Sequence, residues 1–84
     1  MDIVQEIKTR LSITGDFHDG VISGLAQDVK VFMQMAGVKK SVVDSEKAIG
    51  VIARGVADLW TGDGKFSEVF KQQVIQLSFE VENV

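Results

Sequence analysis

Few side chains in this sequence could do chemistry. His18 is the sole imidazole of the 84-residue chain, and cysteine is absent. Asp16 and Asp19 flank His18, which suggests a metal site on paper. Neighbouring positions on one turn do not converge on a single ion, and no second histidine or cysteine completes a ligand set. A helix start is the better reading of this stretch. A Ser-His-Asp system needs a nucleophile that the histidine can reach, and the sequence identifies none. Gly62-Asp63-Gly64-Lys65 looks like the end of a phosphate loop, but that pattern needs a glycine where Leu59 stands. Read as a calcium loop, the same stretch puts Leu59 and Phe70 at its first and twelfth positions, and neither can ligate. The acids of the second half show no apolar surround that would set one apart as a proton donor. No catalytic residue, cofactor site or metal site is therefore expected, and the chain is not expected to be an enzyme.

The elements that carry these residues are read from apolar spacing. The chain is 45% apolar and 25% charged and has no proline, a balance that suits one small globular domain. A first helix is expected from about Asp2, its cap, to Leu11, with Ile3, Val4, Ile7 and Leu11 on one face. Residues 12–16 form a turn from which Ile13 reaches the core. A second helix is expected from about His18 to Ala36, capped by Asp16 or Asp19. Its stripe is Ile22, Leu25, Val29, Phe32 and Ala36, opposite Ser23, Gln27, Lys30 and Gln34. Gly37 is the expected left-handed terminator. Residues 38–43 read as a connector whose valines suit a short extended piece.

Asp44 or Ser45 then caps a third helix that runs to about Trp60, with Ile49, Ile52, Val56 and Leu59 inward. Gly50 and Gly55 weaken it by roughly 1 kcal/mol each relative to alanine, either as a tolerated cost or because another helix approaches closely there. After a turn over residues 61–64, a fourth helix is expected from about Lys65 to Leu77, with Phe66, Val69, Phe70, Val74 and Leu77 inward. Beyond it, Phe79 and Val81 alternate with Glu80 and Glu82, a period of two that suits an extended strand. The expectation is an all-α, compact four-helix domain over residues 1–77 with an extended or flexible tail over residues 78–84.

Net charge is −3, with a pI near 4.9. The excess of acid lies in the second half, and Lys39-Lys40 is the only basic doublet, so nucleic-acid binding is disfavoured. The N-terminal residues mix charges with apolar groups and lack the hydrophobic run of a secretory signal. No apolar stretch reaches bilayer-spanning length. Synthesis in the cytoplasm and no membrane partner are expected.

Several apolar residues fall off the stripes. Val31 and Met35 share a flank of the second helix with Gly24. Val51 lies off the stripe of the third helix, and Ile75 lies nearly opposite Val69 and Phe70 in the fourth. With Phe79 and Val81, and with Trp60 at the end of the third helix, they make a candidate surface for subunit or partner contact. Burial between subunits would remove the aggregation risk of such a surface and supplement a small core.

One family likeness spans nearly the whole chain. Ile7-Lys8-Thr9-Arg10-Leu11-Ser12-Ile13-Thr14 precedes the acidic turn Gly15-Asp16-Phe17-His18-Asp19 and a long helix closing at Ala36-Gly37-Val38. Asp44-Ser45-Glu46-Lys47-Ala48-Ile49 opens the next helix, which ends at Trp60, and Gly62 and Lys65-Phe66 lead on to Phe70. This order resembles the small head–tail connector proteins of tailed phages, also called DNA-packaging or adaptor proteins. The resemblance implies an all-helical subunit of a homo-oligomeric ring, twelve-fold in symmetry, beneath the portal protein. Such a ring extends the DNA channel without binding DNA specifically and docks a downstream tail-completion protein at the head–tail junction of the virion. Relatives commonly carry a tyrosine in the last helix and a polar, glycine-containing tail, whereas this chain has no tyrosine and ends Ser78-Phe79-Glu80-Val81-Glu82-Asn83-Val84. The alternative is a small soluble helical adaptor or regulator that binds a single protein partner.

Overall fold

A computed structural model describes residues 3–61 and 64–80. They form α1 (Ile3–Leu11), α2 (Asp19–Met35), α3 (Lys40–Val43), α4 (Glu46–Thr61) and α5 (Glu68–Ser78). Every regular element among the described residues is an α-helix, so the fold is all-α. The expected cap at Asp2 lies outside the described residues.

Two left-handed residues end the first two long helices. Gly37 takes φ 104°, as expected of the terminator of α2, and the Val38 N–H donates to the Met33 carbonyl at 3.0 Å. Ser12 does the same for α1 at φ 59°, with the Ile13 N–H donating to the Lys8 carbonyl at 2.9 Å. The residue after each reversal turns inward: Val38 is buried and Ile13 packs on the core.

Residues 38–43 differ from the expected extended connector. Lys39 is extended (φ −66°, ψ 145°), and α3 follows as a single turn that buries Val42 and Val43. That turn closes the space between α2 and α4, against both of which it packs. On its outer side Lys40 Nζ donates to Asp44 Oδ2 at 2.7 Å, and this bond holds the Asp44 carboxyl below the ordinary aspartate range.

α4 is the centre of the fold and packs against each of the other four helices. Its buried set is Ala48, Ile49, Val51, Ile52, Ala53, Gly55 and Val56, far wider than one stripe. Val51 is therefore a core residue and not part of any outward surface. A helix with neighbours on several sides buries residues that a single stripe would leave wet. Gly55 shows the close approach expected of a helical glycine, because a Cβ there would stand 2.7 Å from Phe70 Cε1 and 2.9 Å from Val29 Cγ1. Gly50 does not: its nearest contact would be Arg10 Nη1 at 3.7 Å.

The buried face of α2 is Ile22, Ala26, Val29 and Met33, with Leu25 and Phe32 at its edge and Ala36 exposed. The face is thus rotated from the expected stripe towards Ala26 and Met33. No side-chain bond caps α2. His18 occupies the cap position, and the expected cap Asp19 instead places Oδ1 2.7 Å from Lys8 Nζ. Lys8 is nearly buried, so this ion pair fastens α1 to the start of α2.

α5 starts three residues later than expected. Ser67 caps it: its hydroxyl accepts from the Phe70 N–H at 3.2 Å and donates to Asp58 Oδ2 at 2.8 Å. The Ser67 N–H donates to the same oxygen at 3.0 Å. The late start phases the helix on Phe70, Val74 and Leu77 and leaves Val69 exposed, against the expected stripe. Phe66, just outside the helix, joins Phe32 and Phe70 in an aromatic cluster with ring centroids 4.5–5.8 Å apart.

These contacts fix the directions of the helices. Phe32 meets Phe70, and a Cβ at Gly37 would lie 3.9 Å from Ser78 Cβ, so α2 and α5 run the same way. Lys47 Nζ lies 3.4 Å from Glu80 Oε2, so α4 starts where α5 ends and runs against it. Phe79 and Glu80 continue the helical turn, their N–H groups donating to Gln76 and Leu77 carbonyls. The expected two-residue alternation does not begin there, and its remainder, including Val81, lies outside the described residues.

Candidate interaction surface

His18 and Asp19 both make contacts within the fold. The His18 ring lies edge-on between Phe17 and Trp60, with centroids 4.9 Å from each, and Asp19 is held by Lys8. Among the described residues no group of histidine, cysteine, aspartate and glutamate is placed to hold a metal ion. Gly64 is left-handed at φ 83°, as a tight turn requires, and Lys65 is exposed beside it. Among the described residues no helix is long and apolar enough to cross a membrane.

The expected contact residues divide into three groups. Val31, Met35, Ile75 and Phe79 remain outside the core, at 45%, 83%, 48% and 76% exposure. Gly24 is exposed, and a Cβ there would meet nothing within 4 Å. Trp60 is half-buried against His18, and Val51 is inside the core.

The exposed members form two faces. On α2, Val21, Gly24, Asp28, Val31 and Met35 recur at spacings of three and four, so they lie along one side of the helix. Projected around the helix, that side is roughly opposite Ile22, Ala26, Val29 and Met33. On α5, Lys71 and Ile75, with Phe79 at the cap, recur every four residues, turned away from Phe70 and Val74. Phe17, in the turn before α2, is 89% exposed beside the same helix.

Sequence reasoning missed Val21, Phe17 and Val69. Val21 carried a usable signal, because it extends the Gly24–Val31–Met35 spacing by one turn. Phe17 had none, being in a turn without periodicity.

The Asp28 side chain stands in the middle of the α2 face with no ion pair or hydrogen bond to another described residue. Among the described residues, Lys71 of the α5 face has only a 3.6 Å contact with Glu68, one turn back on the same helix. An exposed pair of that kind contributes little. Comparison with protein-family models, with curated proteins and with solved structures finds no match to this chain.

Proposed function

We propose that this chain is a structural ring subunit of the head–tail connector type. It stacks beneath a portal, lengthens the DNA channel and receives a tail-completion protein at the head–tail junction of a virion. The observation that carries this reading is the pair of apolar faces on α2 and α5, which stay exposed outside the buried core cluster. The chain-wide likeness to connector proteins supplies the direction of the inference. The reading requires no chemistry of the subunit. A net charge of −3 suits a channel lining along which phosphates slide without sticking.

The test is electron microscopy of the purified protein mixed with a portal assembly from a tailed phage, alongside sedimentation of the protein alone. Annular particles stacked on the portal are expected. A protein that stays monomeric in the presence of portal overturns the reading. A closed dimer or a one-to-one complex with some other protein would instead establish a helical adaptor.

A further inference from the structure

The two exposed faces match each other. Along α2 the order is Asp28, Val31, Met35, and along α5 it is Lys71, Ile75, Phe79. Each face reads as one charge followed by two apolar groups at successive turns, spanning roughly 10 Å on α2 and 12 Å on α5. The charges have opposite sign. We propose that α2 of one copy takes α5 of the next, side by side and in the same direction, so that Asp28 meets Lys71, Val31 meets Ile75 and Met35 meets Phe79. This rests on the ring-subunit reading and names the surface that builds the ring.

Direction and symmetry both favour this pairing. α2 and α5 run the same way within a copy. Rotation about an axis along the helices leaves their direction unchanged, so the next copy presents α5 parallel to α2. A contact between two different faces is heterologous, and such contacts close into rings when the rotation closes. The competing arrangement is a two-fold dimer through α2 alone. Asp28 is midway between Val21 and Met35, so that dimer sets two carboxylates against each other at its centre. Like charges placed opposite each other weaken association and exclude the wrong partner. Gly24 leaves the α2 face flat one turn before Asp28, giving the neighbouring helix room to approach.

The experiment uses charge exchange and directed cross-linking. D28K and K71E, each alone, are expected to weaken self-association about tenfold, and the double variant to recover most of it. Both positions are exposed, and unchanged circular dichroism checks that each variant folds. Because the chain has no cysteine, V31C copies mixed with I75C copies report the contact directly: a disulfide between the two kinds of copy is expected under oxidation. V31C copies that join only to one another, or a double charge variant no better than either single, overturn the pairing. If rings persist in D28K and K71E and no V31C–I75C bond forms, the pairing falls while the ring-subunit reading stands. If the unaltered protein forms no ring even on a portal, both fall.

Discussion

Replacing Gly55 and Gly50 of α4 by alanine is expected to move stability in opposite directions. In an exposed helix interior the substitution gains about 0.8–1 kcal/mol, because alanine loses less backbone freedom than glycine. Gly50 meets that condition: it is exposed, and the added methyl would sit 3.7 Å from the end of the flexible Arg10 side chain. Gly55 does not. Its added methyl would stand 2.7 and 3.0 Å from Phe70 Cε1 and Cζ, and 2.9 Å from Val29 Cγ1. Phe70 and Val29 are fully buried, so neither can swing into solvent to make room. Overpacking of this kind costs about 1–3 kcal/mol, which offsets the helix gain and leaves G55A up to about 2 kcal/mol less stable. For a domain of this size each kcal/mol moves the midpoint by about 4–8 °C. Thermal and urea unfolding followed by far-ultraviolet circular dichroism reads both variants against the parent. G50A should melt several degrees higher and G55A several degrees lower. If G55A equals or exceeds G50A, then α4 does not approach Phe70 and Val29 as described, and the central packing is wrong.

Further outcomes follow from three single interactions. S67A removes the cap of α5 and one partner of Asp58, and should cost about 1–2 kcal/mol. D58A acts on the same bonds, so the double variant should lose less than the sum in a denaturation cycle. K8M leaves the buried Asp19 Oδ1 without its ammonium partner. Asp19 retains some solvent, so the loss should be about 1–3 kcal/mol, below that of a fully buried pair, and the same denaturation measures it. The Lys40 hydrogen bond lowers the folded Asp44 pKa, so its stabilisation is present above the ordinary aspartate value and fades as pH falls through the lowered one. An NMR titration should show Asp44 moving back up in K40M, and an unmoved midpoint would refute that cause.

Period and turn chemistry made much of this fold legible. The four long helices follow from apolar spacing, and Gly37 announced its left-handed turn. What escaped was set by neighbours that one helix cannot reveal. Val51 is off the stripe of α4, yet it is buried because helices cover α4 on more than one side. Met33 replaced Phe32 as the deepest residue of its turn, because the aromatic ring turns aside to pack against Phe66 and Phe70. Residues 40–43 look like strand by composition, but one helical turn places both Val42 and Val43 in the gap beside α4. The start of α5 depended on Asp58 receiving Ser67 from nine positions away, a partnership with no local signal. The outward faces were partly readable for the opposite reason. A residue such as Met35 that fits no inward spacing stays outside unless a neighbour comes to it.

Every other described helix is laid directly on α4, so no pair of them can swing against the rest without moving across it. Displacing the central rod by even a fraction of a turn would disturb α1, α2, α3 and α5 together. Close-packed interiors resist such gradual deformation. A domain built this way is stiff, and under the proposed ring-subunit reading any widening or twisting of the ring would be absorbed at the joints between copies.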